Sequence, residues 1–126
     1  MKYIVDSSAW IEYLEGSEKG EKISNILNQN NEIFILSLNI AEVVSRIKRK
    51  KSNFNLAYET LITKAKLLNL TPKIAKEAGI LHGEIKPKVK SFSLADALII
   101  KSAEAISAKI ITTDYHFKSF KEVVLI

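Results

Sequence analysis

The chain opens Lys2-Tyr3-Ile4-Val5-Asp6-Ser7-Ser8-Ala9-Trp10-Ile11-Glu12-Tyr13-Leu14-Glu15-Gly16 (residues 2–16), and this stretch decides the fold. Residues 2–5 are a short apolar run closed by an acid, which reads as a buried strand. Residues 9–15 then set Trp10, Ile11 and Leu14 at helical spacing, and Gly16 ends the helix. The same alternation recurs downstream. A second helix is expected over residues 18–29, a strand over 32–37, and a helix from Ile40 to Lys50 capped by Asn39. The helical pattern continues from Asn53 to Leu68, with a brief extended piece at 68–70. Thr71-Pro72 opens a helix to Glu84, residues 86–90 form a basic loop, and Ser93 caps a helix to Ser107. Strands at 109–113 and 122–126 follow. Strands alternating with helices need crossover connections, so the fold class is α/β, one domain over residues 1–126 with a parallel sheet covered on both faces.

Composition narrows the function. Hydrophobic residues at 47% and charged residues at 26% are globular proportions and exclude a disordered chain. The absence of Cys removes disulfide scaffolds, thiolate zinc sites and cysteine nucleophiles. No apolar run is long enough to span a bilayer, and Asp6 interrupts the first one too early for a signal peptide. A cytoplasmic protein without a membrane partner is the expectation. The net charge of +5 favours a polyanion such as nucleic acid as partner.

Four acids fall in one kind of place. Asp6 follows the first strand and Asp114 the fourth. Glu42 lies three residues after Asn39, and Asp96 three after Ser93. Taken singly, each reads as a helix cap or a first-turn acid favoured by the helix dipole. Taken together they suggest a site, because parallel strands present all their carboxyl ends at one edge, where ligands of open α/β sheets bind. Asp6 and Asp114 project into that region and Glu42 lies close to it. Spacing alone does not bring Asp96 there. Crowded carboxylates repel unless a cation joins them. Oxygen donors of this kind suit Mg²⁺ or Mn²⁺, one or two ions, and not zinc.

The segments Asp6-Ser7-Ser8-Ala9-Trp10-Ile11, Ala41-Glu42-Val43, Ala95-Asp96-Ala97-Leu98-Ile99 and Thr112-Thr113-Asp114-Tyr115-His116-Phe117 resemble, in order, the acidic motifs of PIN-domain ribonucleases, most nearly the VapC-type toxins of toxin–antitoxin systems. The resemblance implies a Mg²⁺- or Mn²⁺-dependent endoribonuclease using Asp6, Glu42, Asp96 and Asp114 as metal ligands. It implies strand order 3-2-1-4-5 and brings Asp96 to the sheet edge. It implies hydroxyls at Ser8 and at Thr112 or Thr113 that steady the carboxylates, a cognate antitoxin protein, and a homodimer. One position departs from the family pattern: Ser107-Ala108 stands where a glycine turn is common.

Removing the four acids from the net +5 leaves +9 on the rest of the chain, suited to an RNA substrate. The candidate contacts are Arg46, Lys48, Arg49 and Lys50 beyond Glu42, and Lys88 and Lys90 ahead of Asp96. Arg46, one helical turn after Glu42, either contacts a phosphate or orients Glu42, or simply forms a helical ion pair with it. Glu12, four residues after Ser8, is a candidate to back the acids. Trp10, Tyr13, Phe54 and Tyr58 are candidates to stack on bases but read chiefly as core or interface, His82 as structural, and His116 as a turn residue and not a ligand. Two other phosphate enzymes fit poorly. A haloacid-dehalogenase-like phosphatase needs an Asp where Ser8 stands, and a phospho-receiver domain needs paired acids ahead of a mid-chain Asp. The remaining rival is a catalytically silent PIN-like module that binds RNA or scaffolds.

Overall fold

The computed structural model describes residues 1–126 apart from the side chain of His116. The elements run β1 (Lys2–Val5), α1 (Ser7–Glu15), α2 (Glu18–Leu27), β2 (Glu32–Leu36), α3 (Ser37–Arg49), α4 (Phe54–Lys64), β3 (Lys66–Leu68), α5 (Pro72–Ile85), α6 (Leu94–Ile106), β4 (Lys109–Thr112), a 3₁₀ turn (Tyr115–Phe117) and β5 (Val123–Leu125). The sheet order is β3-β2-β1-β4-β5 with every neighbouring pair parallel. The order expected from the family resemblance is therefore the observed one.

Alternation along the strands divides the core in two. Val5, Ile33, Ile35 and Ile111 point to one face, where they pack with Trp10, Ile23, Val43, Ile47 and Leu61 from α1 to α4. Ile4, Leu36 and Ile110 point to the other, against Ala78 of α5 and Ala97, Ile99, Ile100 and Ala103 of α6. Adjacent residues such as Ile110 and Ile111 are both buried because a strand of a three-layer fold has no solvent face. Each such side chain contributes about 1.5–3 kcal/mol by leaving water. β1 lies in the middle. The chain builds outward from it to β2 and β3, then returns to its other side for β4 and β5. The switch point is thus between β1 and β4, whose carboxyl ends lead into Asp6 and Asp114.

Three expectations are corrected here. Asn39 is not the cap of α3, which starts two residues earlier at Ser37 with no intervening loop. Glu42 is therefore the sixth helical residue and no first-turn acid. The helix begun near Asn53 stops at Lys64, and the extended piece lies at Lys66–Leu68, where it pairs with β2. The first helix starts at Ser7, before Ala9, with Asp6 as its N-cap residue. Ser107 adopts the left-handed conformation (φ 55°, ψ 42°) that a glycine would take more readily, closing α6 before β4. At Gly20 the reason is space: a Cβ would stand 2.2 Å from the Glu12 carbonyl oxygen, so α2 meets α1 backbone to side-chain-free backbone. The first turn of α2 could not otherwise sit there.

Candidate active site

Parallel strands end at one edge, and an open cleft of about 540 Å³ lies there, with Asp6, Glu42, Asp96 and Asp114 all on its wall. Ser7 and Ser8 line it from α1, Ser45, Arg46 and Arg49 from α3, and Ala95 and Ile99 from α6. Asp96 arrives because only Ser107 and Ala108 separate α6 from β4. A helix that ends at the amino edge of the sheet and packs along it must begin at the carboxyl edge.

Asp6 is 7% exposed. Although it holds the N-cap position of α1, its side chain makes no capping bond, so the capping alternative fails for this residue. Its Oδ2 instead accepts from Thr112 Oγ1 at 3.0 Å and from Ser8 Oγ at 3.1 Å. Both hydroxyls are oriented by backbone: the Asp114 amide donates to Thr112 Oγ1 (3.0 Å) and the Thr113 amide to Ser8 Oγ (3.2 Å). Each hydroxyl's own proton then lies within reach of Asp6 and, across 3.2 Å, of the other hydroxyl. Of the two threonines, Thr112 supplies the hydroxyl and Thr113 contributes its backbone N–H. Burial is the largest influence on Asp6 and raises its carboxyl from 3.8 to about 6. Donation from Thr112, the Ser7 backbone and Ser8 opposes the rise, and the charge of Glu42 adds to it.

Glu42 Oε1 accepts from Ser7 Oγ at 2.7 Å and, at a longer 3.4 Å, from Asn39 Nδ2. Asn39 is fully buried and also donates to Ser7 Oγ at 3.0 Å. Neither Ser7 nor Asn39 stood out as a site residue in the sequence. The available signal was the polar side chain of Asn39 between the apolar Leu38 and Ile40. Asp96 caps α6 in a reciprocal box, its Oδ2 accepting from the Ser93 amide (2.9 Å) while Ser93 Oγ accepts from the Asp96 amide (3.0 Å). The capping alternative is correct for Asp96, and it still faces the cleft.

Ion pairs join Lys50 to Glu15, Lys66 to Glu32 and Lys101 to Glu104, away from Asp6, Glu42 and Asp96. Among the described residues Arg46 makes no ion pair with Glu42, which leaves its guanidinium on the cleft wall beside Arg49. The other candidate contacts lie elsewhere. Lys48 covers the Phe54 ring at 5.2 Å, Lys88 lines a separate cavity with Ile85 and Phe120, and the Lys90 carbonyl accepts from Lys86 Nζ. Glu12 is not on the cleft wall; its carbonyl accepts from Ser17. Trp10 is buried and His82 stacks on Phe92. The reading of His116 as a non-ligand lies outside the described residues.

The donor set is oxygen throughout: carboxylates and hydroxyls, without thiolate. Among the described residues no three acid or histidine side chains stand close enough to hold one ion between them. A magnesium ion does not require that, since it commonly takes one or two carboxylates and fills its remaining positions with water and substrate phosphate. Asp6, a buried acid that Glu42 repels and that has no cationic partner among the described residues, fits such an ion. So do Glu42 and Asp96, each with one oxygen committed to protein donors and the other, among the described residues, not.

A family model described as PIN domain matches residues 3–123. The chain belongs to the PIN domain family. Among curated proteins, none matches its sequence. Solved structures resemble this PIN domain over almost its whole length. A toxin-antitoxin complex from Klebsiella pneumoniae superposes with TM-score 0.76 at 20% identity, covering 97% of this chain and 95% of that one. VapBC2 from Rickettsia felis, solved bound to a DNA fragment from its promoter, gives 0.76 at 20% identity over 100% and 98%. VapC20 of Mycobacterium tuberculosis, a Sarcin-Ricin loop cleaving toxin, gives 0.75 at 13% identity over 94% and 95%. At these identities the likeness concerns the fold. No helix of the described residues is long and apolar enough to cross a membrane.

Proposed function

We propose that this PIN domain is a divalent-metal-dependent endoribonuclease, the VapC-type toxin of a cytoplasmic toxin–antitoxin pair. One observation carries the reading. Four carboxylates share the wall of a cleft at the switch point of the sheet, and the most buried of them, Asp6, is held as an acceptor by two hydroxyls and, among the described residues, pairs with no cation. Asp6 and Asp96 are the chief ligands for Mg²⁺ or Mn²⁺, with Glu42 and Asp114 beside them for a second ion. When bound, the cation supplies a water of lowered pKa and charge stabilisation at the phosphate. The protein's part is positional. Thr112 and Ser8 keep Asp6 an acceptor, and the α6 cap fixes Asp96. Arg46 and Arg49, which line the same cleft from α3, meet the anionic backbone of the RNA, and among the described residues neither is held in an ion pair. Phosphodiester hydrolysis by water leaves a 5′-phosphate and a 3′-hydroxyl, and no side-chain nucleophile is used.

The toxin reading is supported by the toxin–antitoxin complexes among the similar structures. The exposed apolar side chains Leu56, Tyr58 and Ile62 of α4 suit a protein partner, an antitoxin or a second copy. The test is incubation with mixed short RNAs in Mn²⁺ and in EDTA. Cleavage in Mn²⁺ that EDTA abolishes is the expected outcome. RNA bound but uncleaved in both would replace the enzyme with a silent RNA-binding module.

A further inference from the structure

We infer that Ser7 and Asn39 are positioning residues that hold the Glu42 carboxylate through one of its oxygens, and so set its hold on the divalent cation. The inference rests on the nuclease reading above. Its ground is the direction of three hydrogen bonds. Asn39 Oδ1 accepts from the Leu36 amide at 3.4 Å, which turns Nδ2 toward Ser7 and Glu42. An amide nitrogen only donates, so Ser7 Oγ is the acceptor at 3.0 Å. The one proton of Ser7 is then left for Glu42 Oε1 at 2.7 Å. Both donors meet the same oxygen, and among the described residues Oε2 accepts none.

Helix capping does not explain this arrangement. Ser7 is the first residue of α1, yet its hydroxyl reaches across to α3, 35 residues on in sequence, and not to its own backbone. Asn39 buries its entire side chain to join the end of β2, the start of α1 and the second turn of α3. The donors are also neutral. An arginine in their place would cancel the negative charge, whereas a hydroxyl and an amide orient it and leave it available to a cation. Asp6 is treated alike by Ser8 and Thr112, so adjacent serines on α1 serve two different acids.

The experiment follows Mn²⁺ binding without turnover, as the rise of the thermal unfolding midpoint with Mn²⁺ concentration. Ser7→Ala is expected to need about 10- to 100-fold more Mn²⁺ for half the rise, the usual cost of losing a group that orients a metal ligand. Its midpoint in EDTA should stay within a few degrees of wild type. Ser7→Thr, which keeps the hydroxyl, should restore the titration to within about threefold. In a Glu42→Gln background, Ser7→Ala should change nothing further, because its effect passes through Glu42. A Ser7→Ala titration identical to wild type overturns the inference and leaves the nuclease reading standing. So does an equal effect of Ser7→Ala with and without Glu42. A wild-type protein that shows no Mn²⁺ response removes the reading beneath it.

Discussion

Replacing Asp6 by Asn separates a metal site from a structural cap, because the two roles predict opposite signs. The substitution keeps shape and removes one charge. Burial raises the Asp6 carboxyl from 3.8 to about 6, so the folded protein binds its proton more tightly than the unfolded chain does. Stability therefore falls as pH rises between those values. The penalty is absent below the unfolded value and complete above the folded one. A shift of about two units corresponds to about 3 kcal/mol at neutral pH. If the amide behaves like the neutral acid, Asp6→Asn should stabilise the metal-free protein by up to about that much. For a domain of this size the unfolding midpoint then rises by on the order of 10 °C. The assay is thermal unfolding in EDTA at pH 7.5 and pH 5. Wild type should gain on the variant as pH falls. Mn²⁺ should raise the midpoint of wild type but not of the variant, and cleavage should drop by orders of magnitude. Cleavage retained with a small loss of stability would refute the reasoning, since Asn also caps well and a cap alone would give that result.

Other substitutions test the frame around the site. Gly20→Ala would drive a Cβ to 2.2 Å from the Glu12 carbonyl oxygen, and denaturant unfolding should show a loss of about 1–3 kcal/mol from the forced separation of α1 and α2. Ser107→Gly should stabilise by about 1 kcal/mol in the same assay, because Ser107 sits at φ 55° where glycine carries no Cβ penalty; a loss would show that its side chain has another use. Arg46→Gln and Arg49→Gln, each placed in the cleavage-silent Asp6→Asn background, should weaken RNA binding and reduce the slope of log affinity against log salt by about one each. An unchanged slope would place the RNA elsewhere.

The sequence carried the architecture because its buried strands alternate with helices whose apolar spacing is clear, and because Asp6 and Asp114 directly follow central strands. Helix starts without a side-chain cap were harder to read. Leu36 precedes α3 with no Ser, Thr, Asn or Asp to announce it, so Asn39 drew the boundary inward and Glu42 looked like a first-turn acid. The end of α4 has no glycine or proline either; Ala65 simply turns extended (φ −131°, ψ 149°), and the edge strand after it is three residues long. Asp96 was legible in principle, since a helix running directly into a parallel strand begins at the carboxyl edge. The hydrogen bonds of Ser7 and Asn39 were not. They depend on β1 and β2 being neighbours in register, Tyr3 opposite Ile33, and that pairing is tertiary information.

The proposed nuclease requires these carboxylates to share a hard cation. Crystals grown with Mn²⁺ and measured at its absorption edge test it directly. An anomalous peak in the cleft, within coordination distance of Asp6 and of at least one of Glu42, Asp96 and Asp114, is the result expected. A cleft with no peak at millimolar Mn²⁺, its acids still bonded only to hydroxyls and amides, would contradict it.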